Sequence, residues 1–281
     1  MKLELALRWA GWVRGLRFER LMDNGGLHLF EPRLFYLYVE QEDQSQLPIF
    51  DAGSPDFRFD RLFAENRFLG HDRIADAHHV ALAFTNRWLD PLTGAERTRL
   101  SIGQILRIDE PEVILPGDPQ ATDPDRSEIA TELAHNFTPQ ISSALLLLWD
   151  NDDGEITRGS LRLRYFDEEE RLLAFAYRFR DDILEQTDIS FAWPVAESWN
   201  VIGRWNHSLM FSENIESFLG VEYTDCCWGI RVVGRQYIDI TETGVEQANG
   251  IFVELNLLGL GRFGKNFERY LDRDTLRSVY E

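Results

Sequence analysis

The most chemically specific residues in this chain are two adjacent cysteines, Cys226 and Cys227, within Tyr223-Thr224-Asp225-Cys226-Cys227-Trp228. Successive residues on a strand face opposite ways, so joining these two to each other strains the backbone. Two separate disulfides to distant segments suit the pair better. The chain has no other cysteine. Either both are free thiols, or their partners lie on a chain not present here. Neither sits in the C-x-x-C context of a redox or zinc motif.

The remaining candidates are weaker. His78 and His79 would point to opposite faces of a strand and could not easily share an ion with each other, and His71 stands apart. Gly259-Leu260-Gly261-Arg262-Phe263-Gly264 spells G-x-G-x-x-G. A dinucleotide site needs a following helix, a second parallel strand and an acid about 20 residues on, and only 17 residues follow Gly264. A flexible exit from the last strand accounts for these glycines. Asp152-Asp153 and Glu168-Glu169-Glu170 read as solvated turns. No H-E-x-x-H, calcium loop, nucleophile elbow or Ser/His/Asp arrangement occurs. The sequence therefore assigns no catalytic residue, metal ligand or cofactor, and the expectation is of a protein that is not an enzyme.

The basic residues are almost all arginine, since Lys2 and Lys265 are the only lysines. Arg162, Arg164, Arg178, Arg204, Arg231 and Arg235, with Asn200 and Asn206, form a polar set in segments that otherwise alternate with apolar residues. Arginine makes planar bidentate contacts to phosphate or carboxylate. These side chains could hold an anionic ligand, or could pair with carboxylates on their own face.

Two-residue alternation dominates the elements that must position these groups. Leu173, Phe175, Tyr177 and Phe179 oppose Ala174, Ala176 and Arg178. Leu161, Leu163 and Tyr165 oppose Arg162 and Arg164. Trp199, Val201, Gly203 and Trp205 oppose Asn200, Arg204 and Asn206. Val80, Leu82, Phe84 and Trp88 oppose His79, Thr85 and Arg87. Val253, Leu255 and Leu257 oppose Glu254 and Asn256. The turns between them are explicit: Asp90-Pro91-Leu92-Thr93-Gly94, Asn151-Asp152-Asp153-Gly154, Asp167-Glu168-Glu169-Glu170 and Thr243-Gly244. The rhythm predicts about 12 strands, many near the length a tilted strand needs to cross a bilayer. Two Pro-containing stretches, about 41–72 and 109–140, do not alternate and read as long loops. Residues 1–261 read as one strand-built segment and 262–281 as a charged tail with a short helix.

Composition narrows the class. The formal charge of −19 argues against a nucleic-acid backbone as partner. No run of about 18 apolar residues exists, so no transmembrane helix is expected, but a membrane β-barrel keeps a polar average and stays open. Trp88, Trp149, Trp193, Trp199, Trp205, Trp228 and Tyr237 lie in or near the proposed strand ends, as in interfacial aromatic girdles. Glu4 and Arg8 interrupt any apolar run after Lys2, so no secretory signal is read at the start.

Several blocks, taken in order, resemble the LptD family of lipopolysaccharide (LPS) assembly proteins, also called organic solvent tolerance proteins. Pro32-Arg33-Leu34-Phe35-Tyr36-Leu37-Tyr38-Val39 with Asp43-Gln44 resembles the family's P-R-x-x-Y-L-Y-V-P-Y-x-D-Q. Glu65-Asn66-Arg67-Phe68, then Asp72-Arg73-Ile74-Ala75-Asp76-Ala77, then Ser101-Ile102-Gly103-Gln104-Ile105 follow. Tyr223 to Trp228 resembles Y-x-S-C-C-[YW], and Gly250 to Gly261 resembles the final strand and its exit. Asn249-Gly250-Ile251-Phe252-Val253-Glu254-Leu255 is also similar to the terminal-strand signal read by the outer-membrane insertion machinery.

The resemblance implies an all-β fold: an antiparallel transmembrane β-barrel of the bacterial outer membrane, present here as the C-terminal part of a larger barrel. It implies LPS as the transported partner, leaving through a polar lumen and a lateral seam between first and last strands. It implies the lipoprotein LptE as a plug, and an N-terminal LptD part that connects to the periplasmic LPS bridge. By the same resemblance Cys226 and Cys227 bond cysteines of that N-terminal part. Asn249, Gly250, Ile251, Val253, Leu255 and Leu257 belong to the seam strand and insertion signal, and the six arginines above line the lumen. The sequence departs from the family at Glu40 and Gln41, where Pro and Tyr are usual, and at Asp225, where Ser is common. A sheet of about 12 strands with an open first edge leaves backbone groups unpaired, so a C-terminal fragment or one half of a split gene is expected. A soluble all-β carbohydrate-binding protein or hydrolase, and a generic porin-like barrel, are the alternative readings. Outer-membrane partition separates the first from LptD, and the cysteine pair separates the second.

Overall fold

The structure is a computed structural model and describes residues 9–55, 58–115, 128–151, 153–241, 244–257 and 261–263. The described residues form fifteen strands. In chain order these are β1 (Trp9–Gly15), β2 (Phe18–Leu21), β3 (Leu27–Val39), β4 (Ala77–Leu89), β5 (Glu96–Arg107), β6 (Glu128–Asn136), β7 (Ile141–Asp150) and β8 (Ile156–Phe166). They continue as β9 (Leu172–Arg180), β10 (Leu184–Ala196), β11 (Trp199–Ser208), β12 (Glu213–Thr224), β13 (Trp228–Thr241), β14 (Gly244–Leu257) and β15 (Gly261–Phe263). Strand order in the sheet follows chain order, with β2 beside β3. The all-β antiparallel class expected from the alternation is the observed one. Fifteen strands exceed the expected twelve or so, and β6 lies inside the stretch 109–140 that reads as a loop in the sequence; β3 through β14 run from nine to fourteen residues. That is well beyond the five or six residues usual in globular proteins.

The chain divides into two compact units. The first comprises Met1–His135 with Leu145–Arg158, and the second Asn136–Ala144 with Gly159–Glu281. In the first unit, β1 and β2 share one register along β3, from Trp9 opposite Val39 to Leu21 opposite Leu27. They are one strand interrupted opposite Pro32, which has no N–H to give the ladder. The β4–β5 turn is held by Asp90, whose Oδ1 accepts the N–H groups of Leu92 (2.9 Å) and Thr93 (3.0 Å). Gly94 supplies the left-handed backbone there, at φ 71°. This is the chemistry that the D-P-L-T-G segment announces.

The stretch from 40 to 76 is more than a loop. A short 3₁₀ helix, Phe59–Phe63, lies within it and returns to the sheet of its own unit. Leu62, only 2% exposed, packs with Ala130 and Leu148, and Phe63 packs with Phe35, Leu37 and Ala81. The strand face that receives them carries small residues, Ala81, Ala83, Ser101, Gly103 and Ala130, while Leu82, Phe84 and Ile102 stand exposed on the opposite face. A Cβ on Gly103 would lie 2.7 Å from Leu62 Cδ1 and 2.9 Å from the Leu82 carbonyl oxygen. Small side chains on that face are therefore what makes room for the helix. Burying Leu62 contributes on the order of 1.5–3 kcal/mol.

In the second unit, β9 through β14 pair in unbroken succession, with irregularities only at Pro194/Ala196 and Asn206/His207. Beyond β14, Gly261–Phe263 pair with Leu255–Leu257. Strand pairing thus continues two residues past the boundary expected at residue 261. The rest of the expected tail, and Gly259, Leu260 and Gly264 of the G-x-G-x-x-G string, lie outside the described residues.

Leu62→Ala should cost about 2–5 kcal/mol of packing and release the helix, speeding tryptic cleavage at Arg58 and Arg61 while strand content holds. Gly103→Val should do the same by collision. Unchanged cleavage in both variants would show that this contact does not hold the stretch.

Candidate functional site

The loop stretch is built from the residues that carried the sequence blocks. Asn66 Oδ1 accepts the Ala75 N–H (3.1 Å) and its Nδ2 donates to the Arg73 carbonyl (2.9 Å). Asp76 accepts the N–H groups of Glu112 (2.8 Å) and Val113 (2.9 Å), tying the stretch to the segment after β5. Gln44 clamps the backbone of Ile74 from both sides, at 2.8 and 3.1 Å. Phe68, Ala75 and Leu115 form a small buried cluster beneath. Asp51 and Asp72 each accept backbone N–H groups from the other's segment. The Phe50 N–H first, working against burial, and then the Asp51 N–H hold the Asp72 carboxyl down to about 2.

The second unit presents two chemically different faces. On one, Arg204 grips Asp188 through Nε, 3.1 Å from each carboxylate oxygen, and reaches Glu216 Oε2 through Nη1 at 3.0 Å. Arg235 Nε donates to the other oxygen of Glu216 at 2.6 Å. Further along the same strands, Arg231 bridges Glu222 (2.8 Å) and Glu254 (2.9 Å). Between the two groups lies an apolar row of Leu172, Ala192, Ile202, Phe218 and Val233. Alternation explains the layering. Glu216, Phe218, Gly220 and Glu222 share one side of β12, and Arg231, Val233 and Arg235 share one side of β13. The structure thus pairs Arg204, Arg231 and Arg235 with carboxylates, one of the two outcomes left open by the sequence. Arg162 and Arg178 are exposed, and Arg164 lies with its guanidinium 5.1 Å from the Phe166 ring centre. The carboxylate partners Asp188, Glu216, Glu222 and Glu254 were not singled out from the sequence. The available signal was alternation within each strand, which puts Glu216 and Glu222 on one side of β12 and Glu254 opposite Val253 and Leu255 on β14.

The opposite face is apolar and exposed: Leu173, Leu219, Val221, Val232, Val253 and Ile251, the last 80% exposed. Near the strand ends it carries a band of rings. Tyr165 stacks on Trp193 (6.4 Å), Trp199 meets Tyr223 (5.0 Å), and Tyr223 meets Trp228 (5.2 Å). Arg171 lies over Trp193 at 5.6 Å. Trp193, Trp199 and Trp228 therefore join the band, whereas Trp205 stacks on His207. Tyr237 lies on the charged face beneath Arg235, 4.4 Å from its guanidinium. In the first unit, His78 and His79 face opposite ways as alternation requires: His78 contacts Tyr36, Tyr38 and Asp109, and His79 contacts Phe35.

The proposed seam residues lie in β14. Ile251, Val253 and Leu255 point to the apolar face, opposite Glu254. Asn249 sits across from Gln236, Gly250 from Arg235 and Leu257 from Trp228. One side of β14 is paired with β13 along its length. The other is paired, among the described residues, only at Leu255–Leu257. This is an unpaired strand edge, a template for another strand.

Cys226 and Cys227 correct an expectation. They lie in the bend between β12 and β13, not on a strand, so alternation does not separate them. Their Sγ atoms are 2.6 Å apart, and both residues are exposed. Asp225 Oδ1 accepts the Cys226 N–H at 2.7 Å.

Two outcomes follow from these contacts. Asp72 ionises below the usual carboxylate value of 3.8, so its contribution is complete above about pH 4 and is lost as pH falls toward about 2. Amide exchange at Phe50 and Asp51 should rise across that window, and Asp72→Asn should abolish the step. Glu216→Ala takes a carboxylate from both Arg204 and Arg235, which should cost about 3–5 kcal/mol. Exposed Arg178→Ala should stay within about 0.5 kcal/mol. Unfolding in detergent, followed by heat-dependent gel mobility, measures both.

Comparison with known proteins places these features. A family model described as LptD, LPS transport system D, matches residues 12–199, more than half of the chain. The LPS-assembly protein LptD of Nitrosococcus oceani is 43% identical over 265 residues, covering 93% of this chain and 36% of that protein. The LPS-assembly protein LptD of Hahella chejuensis is 36% identical, with 92% and 33% covered. That of Marinobacter nauticus is 38% identical, with 90% and 32% covered. The chain thus spans about a third of the length of these curated relatives. The match over more than half of its length, with relatives up to 43% identical over 93% of it, shows that the chain belongs to the LptD family.

Proposed function

We propose that this chain acts in LPS assembly at the bacterial outer membrane, as a wall of the barrel that passes LPS from the periplasm to the outer leaflet. The observation that carries this reading is the two-faced sheet of the second unit in a member of the LptD family. An exposed apolar face with an aromatic band suits hydrocarbon and its interface. A face lined by Arg, Asp, Glu and Asn suits a hydrated interior. LPS needs both environments at once, because its acyl chains partition into hydrocarbon while its sugars and phosphates stay wet. A path with a polar lumen and one weakly paired seam supplies them with no covalent step.

In this reading the open edge of β14 belongs to the lateral seam. Exposed Arg162 and Arg178, with Arg164, are the lumen arginines that meet phosphate or sugar. Arg204, Arg231 and Arg235 keep the wall rigid through their carboxylates. The partners are LPS, the plug lipoprotein LptE, an N-terminal LptD part carrying the cysteines that bond Cys226 and Cys227, and the barrel insertion machinery that reads β14.

The test is a chimera in which this chain replaces the matching C-terminal third of the Nitrosococcus oceani relative, expressed in cells depleted of their own LptD. Growth and surface LPS should be restored. Replacing Cys226 and Cys227 together by Ser should impair that rescue strongly, whereas a simple porin would tolerate the change. A chimera that inserts in the outer membrane but leaves LPS in the inner membrane would refute the reading.

A further inference from the structure

On the face that carries Val232 and Val253, the apolar rows of β12 to β14 give way to amides at the end away from the cysteine bend. Strand register sets Ser217 opposite Gln236 and Gln236 opposite Asn249, with Gln247 two residues away on β14. Asn214 joins them because β12 carries an extra residue against β11 between Asn214 and Glu216, which turns Asn214 to the side of Ser217. Its Nδ2 donates to Ser217 Oγ and Gln236 Oε1, each at 3.0 Å, and Gln236 Nε2 donates to Gln247 Oε1 at 3.2 Å. The Asn214 Oδ1 atom is buried and has no hydrogen-bond partner. Trp205, 44% exposed, stands opposite Ser217 and stacks on His207 at 5.2 Å. Between Val232 and Gln236 the face dips at Gly234, where an added Cβ would meet nothing nearer than the Leu219 carbonyl oxygen at 3.8 Å. Exposed Leu219 and Ile251 flank that dip.

The geometry points to a carbohydrate-binding site on this outward face: the amide row and Trp205 take the sugar headgroup of a glycolipid beside the β14 edge. In the LPS-assembly reading, on which this site depends, the cysteine bend faces the periplasmic part, so the amide row lies at the outer-leaflet end. The occupant is then the sugar portion of LPS as it arrives in that leaflet.

The chemistry selects sugar over phosphate. A side-chain amide offers two donors and an acceptor oxygen, and a hydroxyl both donates and accepts, so neighbouring amides can bond adjacent hydroxyls of one ring. The C–H face of the same sugar packs on an exposed ring such as Trp205. Anionic phosphate is held best by arginine or lysine. Register puts no charged side chain on the face shared by Ser217, Gln236, Gln247 and Asn249 among the described residues of β12 to β14. The stretch from Trp228 to Gln236 covers about 26 Å of strand. Acyl chains can therefore lie along Ile230 and Val232 while the headgroup meets the amides, and Gly234 leaves room where the two parts join.

The full-length chimera with the Nitrosococcus oceani relative, purified in detergent micelles, receives a photo-crosslinking residue in place of Ile238, which lies opposite Gln247. Irradiation with LPS should give an LPS adduct. The deacylated and dephosphorylated sugar portion should compete, and inorganic phosphate should not. Gln236→Leu combined with Gln247→Leu, and Trp205→Ala alone, should each cut the adduct at least about fivefold. Gly234→Leu fills the dip without touching a hydrogen bond and should do the same. Heat-dependent gel mobility should stay unchanged, which separates lost binding from lost folding. Adduct yields indifferent to all these changes, competition by phosphate but not by sugar, or crosslinking of two chimera copies in place of LPS would each overturn the proposal. Those results leave growth rescue by the unsubstituted chimera intact, whereas failed rescue strikes the LPS-assembly reading itself.

Discussion

Backbone hydrogen bonding is the constraint on which the rest of this structure depends. Hydrocarbon offers no partner for an N–H or C=O, so a sheet that crosses a membrane must satisfy each strand from its neighbours. Long antiparallel strands joined by tight turns do this economically, and β9 through β14 pair almost without interruption. The breaks have physical causes. Pro32 has no N–H, and the strand beside β3 divides there into β1 and β2. Among the described residues the constraint is left unmet on the outer side of β1 and β2 and on most of the far side of β14, which makes those edges templates for another strand.

Once the ladder is set, strand alternation sorts side chains between two solvents. In the second unit the charged side holds three of its arginines in carboxylate pairs. It neutralises Arg204 and Arg235 against Asp188 and Glu216, and Arg231 against Glu222 and Glu254. Charges taken partly out of water persist when they are paired and hydrogen-bonded. These pairs also cross from strand to strand, so they lock register as well as charge. In the first unit the same sorting works through size: alanines and Gly103 leave space, and Leu62 fills it.

The loop and turn residues show why family blocks can mark structure far from any chemistry. Asn66, Asp72, Arg73 and Asp76 spend their polar atoms on backbone groups of their own stretch and of the segment after β5. The cysteine turn is the opposite case, a place where reactive atoms are left exposed and held beside each other.

Period-two alternation, the turn residues and the cysteine pair were enough to read an all-β antiparallel chain with long strands, because hydrophobic period and turn chemistry are local properties. The two sides of β9, β11 and the end of β14 were legible for the same reason. Which carboxylate meets which arginine was not, because partners such as Arg231 and Glu254 are joined only by strand register. Nor could the path of residues 40–76 be read, since Leu62 finds Ala130 and Leu148 through the fold and no periodicity announces it. The contact between Cys226 and Cys227 was likewise decided in three dimensions: alternation separates neighbours on a strand, and only the placement of the bend took these two off it.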